Sequence, residues 1–591
     1  MAVFRADQAQ VTFMTEPAAG GYVEMATAVT TGTGTARINL AAGYPAGTRQ
    51  MEIDSISGSG AHVVVGDVIQ IGTASALEQE IRRIEHIAKS SPTATTGTIT
   101  LDAPTAFRHR DNTDIAVVTA ATETVADQYI TMIPGAYETV DVPDPEFGIE
   151  GRWFLGTQSK RNFYAAYSGQ QTYAGSIGGF ALLNGRALRY PIGTVATTTD
   201  YKNTAIKCVI NEPAVDGDPA GAKAGDILVK VDGITQTTIP VNQALIFGTG
   251  TTSEVRRHVG SAITGATGTL RLDYPLQFDH ADNADVLKVV SASGGSDSTL
   301  ATVSTVVPYT HTISEAVDLA SVSWNVHMLP SNEDYDYSFD RRYYGGKIGS
   351  MTLSGEEGGM VTGSWDSINF LGFIHNQKTT SAATHNGGMP FYSVMQTIKG
   401  AEGGDGKVVF PTTEPYYFSQ GEVSMFGQTI ARIRSFSLSI TNNEEPRYYI
   451  TKQMGRRRGP TEIREQRREY SLAVTLALPD AGIANASQRT LFQEMLLEGN
   501  YGTLSDWMRT GKKGFDVSIT FTRGDIVHGT EDKITITIPS TQPASTGGNS
   551  QGAFIRTAPH NITEDNPFQV EADILFRNLS IVVQDTEHYY P

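Results

Sequence analysis

Two stretches of this sequence place imidazole, carboxylate and amide groups at one spacing, His109-x-Asp111-Asn112-x-Asp114 and His280-x-Asp282-Asn283-x-Asp285. Oxygen donors clustered in this way could ligate a hard cation. Asp and Asn also bond their own backbone to form a turn ahead of a strand, and that reading is taken for both motifs. Gly548-Asn549-Ser550-Gln551-Gly552 matches the elbow that lifts a nucleophilic serine in hydrolases. It sits in the polar run Thr541 to Gly552 with no apolar strand before it, so a loop is expected. Gly403-Gly404-Asp405-Gly406-Lys407 evokes a phosphate loop, but Ala401 stands where the first glycine is required and Val408 follows the lysine. With no zinc-protease helix, kinase set or dinucleotide fingerprint either, we expect no catalytic residue, no cofactor and no resident metal.

Charge is the other chemistry on offer. Arg456, Arg457 and Arg458 are followed by Arg464, Arg467 and Arg468, and face Glu444, Glu445, Glu462, Glu465 and Glu469 in sequence. A nucleic-acid groove would interleave aromatics with such arginines, and this cluster has none. Contacts between subunits, or between stacked rings of subunits, are the expected role of Arg456, Arg457, Arg458, Arg464, Arg467, Arg468, Glu444 and Glu445. Trp324, Trp365, Trp507 and Tyr335-Asp336-Tyr337 could stack on sugars, yet aromatic strand residues more commonly anchor cores and interfaces.

The elements that must hold these residues are strands. Gly is abundant, at 60 residues, and short alternating runs separated by Gly, Asn, Asp and Thr recur throughout, which indicates an all-β protein. Val322, Trp324, Val326 and Met328 alternate with polar residues, as do Phe436, Leu438 and Ile440, so each run buries one face. Further strands are expected at Leu472 to Leu478, Phe515 to Phe521, Ile534 to Ile538 and Val570 to Val583, the last long enough to bend between two sheets. A short helix over 486–498 is predicted from the capping residues Asn485 to Gln488, the stripe Leu491, Phe492, Met495 and Leu496, and Gly499 at its end. A second helix is predicted over Ser75 to Ile87.

At 591 residues the chain exceeds one core, and roughly three to five folded units are expected at about 150 residues each. A hydrophobic share of 39% against 18% charged is that of an ordinary globular protein, and no apolar run approaches the ~20 residues of a membrane helix. Met1 to Arg5 lead into no signal-type stretch, so synthesis in the cytosol is expected. One cysteine, Cys208, excludes a disulfide within the chain and is read as a buried strand residue. A net charge of -18 opposes tight phosphate binding.

An internal repeat organises the chain. Val65-Gly66-Asp67-Val68-Ile69-Gln70-Ile71-Gly72-Thr73 returns as Val241 to Thr249, Glu80-Ile81-Arg82-Arg83 as Glu254-Val255-Arg256-Arg257, and Gly97 to Pro104 as Gly268 to Pro275. Two copies of one small β barrel or sandwich are expected at 25–125 and 200–295, inserted into a host body made of 1–24, 126–199 and 296–591, the last with a long hairpin at 441–470. Within the host, Ile348-Gly349-Ser350-Met351-Thr352-Leu353-Ser354 echoes Ile433-Arg434-Ser435-Phe436-Ser437-Leu438-Ser439, so the body holds one β domain or two in tandem.

The host segments resemble the major tail tube proteins of long-tailed bacterial or archaeal viruses. The resemblance is carried by Phe426 to Asn443, a strand ending in an asparagine pair, by Gly459-Pro460-Thr461-Glu462-Ile463 leading into the strand Tyr470 to Leu478, and by Arg341 to Gly359 with its acidic turn. It covers about 126–200 and 304–591 and leaves out both repeated modules. It implies a β-sandwich whose inner sheets join side by side around a ring, with a long hairpin or loop reaching the next ring. The subunit would then stack as trimeric pseudo-sixfold or hexameric rings in the virion tail. It would meet a tape measure protein and tail end proteins, and viral DNA would pass through the lumen without specific binding. Two other readings stay open: a distal tail or baseplate ring protein, and a secreted carbohydrate-binding adhesin.

Overall fold

A computed structural model of the chain describes residues 4–21, 25–56, 63–65, 67–72, 79–91, 94–124, 130–131, 135, 137, 139–143, 148–152, 165–199, 202–214, 220–234, 238–240, 243–249, 252–258, 260–272, 275–289, 309–330, 339–377, 414–425, 428–430, 433–449, 458–477, 515–526, 530–539, 552–557, 560–561 and 569–585. The body strands, in chain order, are β1 (Phe4–Thr15), β2 (Thr139–Asp141), β3 (Ile149–Arg152), β4 (Ala165–Ser168) and β5 (Ala174–Ala181), then helix α1 (Arg186–Ile192) and β6 (Gly193–Thr199). After the second module come β7 (Tyr309–Glu315), β8 (Val322–Pro330), β9 (Phe339–Glu356), β10 (Thr362–Asn369) and β11 (Gly372–Gln377). The remainder, apart from the short strands Ile130–Thr131, Gln428–Ile430 and His560–Asn561, are β12 (Gly421–Met425), β13 (Ile433–Thr441), β14 (Glu445–Arg447), β15 (Glu462–Arg464), β16 (Glu469–Ala477), β17 (Val517–Ile526), β18 (Thr530–Ile538), β19 (Phe554–Thr557), β20 (Gln569–Phe576) and β21 (Ser580–Asp585).

Eight of these strands run side by side in the order β2-β5-β10-β9-β13-β16-β20-β19, every pair antiparallel. The half of β9 nearest its start leaves this sheet to pair with β8 and β11, and β8 pairs with β1. A second sheet, β6-β7-β21-β18-β17-β12 with Gln428–Ile430 beyond β12, covers the first. The alternation seen in sequence is what bonds the two layers. Phe436, Leu438 and Ile440 of β13 and Leu472 and Val474 of β16 share one core with Ile519, Phe521, Ile534, Ile536, Ile581 and Val583 of the second sheet. Each such side chain stabilises the sandwich by about 1.5–3 kcal/mol when fully buried.

The eight strands wind as two runs of four. Along the sheet, β2, β5, β10 and β9 are first, second, fourth and third in chain order, and β13, β16, β20 and β19 repeat that order. Four antiparallel steps separate β2 from β13, so the two runs point the same way. A two-stranded hairpin interrupts each run between its first and second strands, β3–β4 in one and β14–β15 in the other. A pair from the second sheet separates the second and third, β6–β7 and then β17–β18. The second sheet does not share this symmetry, since β6-β7 and β18-β17 flank β21 in opposite order. The sequence echo falls on β9 and β13, which are antiparallel neighbours with Leu353 opposite Leu438, and not on equivalent positions of the two runs.

Both modules are six-stranded with one cyclic order. The first is a closed barrel of Met25–Ile38, Gln50–Asp54, Gly97–Leu101, Glu80–Lys89, Val68–Ile71 and Asp114–Thr124. The second repeats it with Lys202–Ile210, Leu228–Asp232, Gly268–Arg271, Glu254–His258, Gln243–Phe247 and Asp285–Val289. One seam differs: the first barrel closes by pairs from Ile84 opposite Leu101 to Lys89 opposite Gly97, whereas the second has the single bridge His258 to Leu272. The first module seats Ala103 against Tyr344 and Leu371 of the body, and the second seats Ile246 and Val255 against Tyr309. The modules also meet each other, through Arg110 and Glu212 at 3.3 Å and through Ala106 and Phe107, which enter the second module's core.

The helix expected over Ser75 to Ile87 is instead the strand Glu80–Lys89. A β-bulge between Ile84 and His86 resets the alternation and puts Ile84 and Ile87 in one core, whereas Ile81 is buried outside that core, and strands pair along both sides. The helix expected at 486–498 lies outside the described residues, as do Trp507 and Tyr335 to Tyr337. The stretch Val570 to Val583 breaks at Arg577 to Leu579 and passes from the eight-stranded sheet to the covering one, as β20 and β21. Cys208 is fully buried on a module strand, and no described helix is long and apolar enough to cross a membrane.

Candidate functional site

The free face of the eight-stranded sheet is lined by short hydroxyl side chains. Period-two alternation turns Ser350, Thr352 and Ser354 of β9 away from the core, with Ser435, Ser437, Ser439 and Thr441 of β13 beside them. Register carries the pattern across the sheet, with Thr352 opposite Ser439 and Ser439 opposite Ser471 of β16. Acids punctuate it. Asp366 on β10 accepts from Thr352 Oγ1 at 2.8 Å and Ser364 Oγ at 2.6 Å, and Asp141, Glu469 and Glu571 are exposed. Among the described residues of these strands, Arg434 and Arg556 lie at the margins, already paired with Glu357 at 3.4 Å and Asp573 at 2.5 Å. A flat hydroxyl face with an acidic balance offers a polyanion neither counterion release nor stacking platforms.

The two hairpins rise from one end of this face, and asparagines build the root of the second. Asn442 is 1% exposed and its side chain donates from Nδ2 to Pro191 O at 3.1 Å and Ile348 O at 2.8 Å. Its Oδ1 accepts from Arg468 Nε at 2.7 Å, and its backbone N donates to Gly349 O at 2.7 Å. Asn443 takes the left-handed conformation at φ 47, which Asn tolerates better than branched residues, and donates to Arg467 O at 2.7 Å. The hairpin roots are tied together: Tyr448 Oη donates to Gln171 O at 3.0 Å, and Gln171 N donates to Arg458 O at 3.0 Å.

The charged residues singled out in sequence divide around this root. Arg456 and Arg457 lie outside the described residues, and Arg458 is exposed. Arg464 and Arg467 are 62% and 84% exposed, in loose pairs with Glu462 at 3.7 Å and Glu469 at 3.5 Å. Glu445 pairs with Arg447 at 2.7 Å and also accepts from Gln466. Arg468 turns inward to Asn442. Glu444 is half-buried against Asn369, whose Nδ2 lies 3.4 Å from Oε2. Burial pushes its carboxyl up to about 8, with neighbouring Glu465 adding to the rise against the pull of Asn369 and Lys347. Glu465 itself is bonded to Lys347 Nζ at 2.5 Å; burial raises its carboxyl, and this bond and charge outweigh that to hold it below the usual range. Composition flagged the arginines and glutamates, but nothing local marked Lys347, Gln171 or Asp366, which reach the site through pairing across the sheet or between hairpins.

Three buried polar clusters carry the residue types of catalysis, and all are structural. Glu80 binds Arg82 Nη2 at 2.6 Å and His109 Nε2 at 2.5 Å and accepts from Ala106 N at 2.8 Å. Glu254 repeats this with Arg256 at 2.6 Å, His280 at 2.8 Å and Gln277 N at 2.9 Å. Burial raises both carboxyls, but the guanidinium and imidazole outweigh it and hold each below the usual range. In the third, His311 bridges Thr197 Oγ1 at 2.9 Å and Asp585 at 3.1 Å as in a nucleophile triad, yet all three are at most 3% exposed and lie beside Ser253 of the second module. The His-x-Asp-Asn motifs are turns: Asn112 and Asn283 both have φ 61, and Asp111 and Asp282 accept from Leu40 N and Glu212 N. Trp324 and Trp365 are fully buried in the body core. Among the described residues, no group of His, Cys, Asp and Glu could hold a metal ion.

A family model described as phage tail tube protein matches residues 158–572, more than two thirds of the chain, and spans the second module as well as most of the body. No curated protein matches the chain.

Proposed function

We propose, from the premise that this chain belongs to the phage tail tube protein family, that three copies close into a ring whose bore is lined by the hydroxyl face. A viral tail tube subunit is a structural part of the virion tail that assembles with itself. The repeated four-strand winding carries the finer reading. If each run is one tube domain, a chain supplies two, and three chains supply the six units of a pseudo-sixfold ring. Three sheets of eight strands make 24, and at ~4.8 Å spacing and ~40° tilt these close a barrel roughly 50 Å across at the backbone. Short Ser and Thr side chains would narrow it by about 10 Å, leaving room for a duplex roughly 20 Å thick.

Placement of the modules supports the same orientation. The second stands on β6, the edge of the covering sheet, where Thr197 N donates to Ser253 O at 3.0 Å. A folded unit of about 100 residues has a radius of gyration of ~13 Å, so six could not share the bore with DNA. The covering sheet and the modules therefore face outward. Ring closure joins the β2 edge of one copy to the β19 edge of the next, removing strand edges that would otherwise promote aggregation. The β3–β4 and β14–β15 arms reach the neighbouring ring, and exposed Arg458, Arg464 and Arg467 contact it. An isolated two-stranded hairpin is marginal in water, and Ile149 at 70% and Tyr167 at 55% exposure gain cover there. In a long-tailed virus the bore would hold the tape measure protein and then pass DNA, with tail end proteins capping the shaft.

Electron microscopy of tubes assembled from the purified chain tests this reading. Threefold rings with outward modules are expected. Six copies per ring would remove the tandem account, and a chain that stays monomeric at high concentration would remove the tube.

A further inference from the structure

We propose that Glu444, Lys347 and Glu465 form a proton-operated latch at the root of the β14–β15 arm, which holds the arm in place while Glu444 is protonated and loosens it once that proton leaves. This rests on the reading of the hairpin as an arm between rings. The geometry is one of two carboxylates and a single ammonium. Lys347, on β9, gives its Nζ to Glu465 Oε1 at 2.5 Å, with both side chains almost closed to water at 11% and 13% exposure. Glu465 is held further by Leu319 N at 3.0 Å. The cation is therefore committed. Glu444 Oε2 has Asn369 Nδ2 at 3.4 Å, and Oε1 has no hydrogen-bond partner among the described residues. The groups that face Glu444 are thus Lys347 from β9, Glu465 from the segment after β15, and uncharged Asn369 from β10.

A second negative charge in that position has no ion pair of its own, since the nearby ammonium is bonded to Glu465, so the folded arrangement favours the neutral acid. The position makes this matter for the arm. Glu444 lies between Asn443, held at φ 47, and Glu445, the first residue of β14, at the point where the hairpin leaves the sheet. Burial raises its carboxyl to about 8 from an ordinary 4.5. The sign follows. A raised acid contributes stability that is complete below the unfolded value and is lost as pH rises through the folded one, here near 8. With one proton involved, the equilibrium toward the latched form falls by up to about tenfold per pH unit between 4.5 and about 8 and levels off above that.

The full chain is assembled between about pH 6.5 and 9.5, tube mass is read by sedimentation and negative stain, and the thermal midpoint is measured over the same range. Wild type is expected to lose tube mass and thermal stability as pH rises from about 6.5 toward 8 and to level off above it. Glu444→Gln, which keeps the neutral shape, is expected to flatten both profiles. Glu465→Gln frees Lys347 to pair with Glu444 and should flatten them as well. Coincident profiles for wild type and Glu444→Gln would overturn the latch, as would a wild type insensitive to pH. Failure of every chain to form tubes at any pH would count against the tube reading. The thermal profiles of wild type and the two variants would still decide the latch.

Discussion

Two adjacent asparagines at the arm root should respond to substitution in opposite ways. Asn442→Ala removes three side-chain hydrogen bonds at a position 1% exposed, leaving Pro191 O, Ile348 O and Arg468 Nε without this partner in a place water does not reach. A lost neutral bond costs about 1 kcal/mol and one to a charged group about 1.5–3, so the sum is roughly 3–5 kcal/mol. Asn443 is exposed, and its side chain makes one bond, to Arg467 O. Its backbone sits at φ 47, where glycine is at ease, so Asn443→Gly should change stability by no more than about 1 kcal/mol. Urea unfolding followed by tryptophan fluorescence reads this directly, because Trp324 and Trp365 lie in the body core. At a slope of about 3 kcal/mol/M, Asn442→Ala should lower the body midpoint by roughly 1–1.7 M. An Asn442→Ala protein within 1 kcal/mol of wild type, or an Asn443→Gly protein equally damaged, would show that the side-chain network is not what holds the root.

Further outcomes are expected elsewhere in the chain. Glu254→Gln removes the buried carboxylate that Arg256 and His280 share and should destabilise the second module by about 3–5 kcal/mol, seen as faster hydrogen exchange in Lys202 to Val289 with body strands little changed. Both module carboxyls are held below their usual range, so their stabilisation is present above pH 4.5 and lost as pH falls through the lower folded values. Both modules should therefore open before the body as acid is added, and Glu80→Gln should remove that response from the first. Ser437→Arg with Ser439→Arg places cations on the hydroxyl face without touching the core; virions carrying it should keep intact tails but release DNA more slowly, with the rate recovering as salt is raised.

Much of this was legible before any coordinates. Alternation marked one buried side at Phe436 to Ile440 and at Val322 to Met328, and the structure places Phe436, Leu438, Ile440, Val322, Trp324 and Val326 in the core, with Ser323 and Asn325 on the other side of the second strand buried as well. Ser435, Ser437 and Ser439 were visible as the other side of the same pattern. The repeat carried its polar cluster in plain sight, with Glu80, Arg82 and His109 matched by Glu254, Arg256 and His280, but as letters at corresponding positions and not as contacts. Where the expected helix failed, at Ser75 to Ile87, a bulge between Ile84 and His86 had put Ile84 and Ile87 on one side of a strand. The echo between Ile348 to Ser354 and Ile433 to Ser439 pointed to duplication, yet those strands turned out to be neighbours in one sheet.

What the amino-acid sequence determined by itself was local: the all-β character, the faces of the strands, the turns and the pair of related modules. Each follows from interactions within a few residues, because side-chain alternation and turn chemistry are written into consecutive positions. The tertiary structure decided which strand lies beside which. That choice set the two runs of four and brought Gln171 to Tyr448 across 277 positions of chain. It also left Lys347 with two carboxylates to serve. Backbone edges are chemically alike, so a strand's own residues name the side it buries but not its neighbour; only the closing of every edge and core together selects one order.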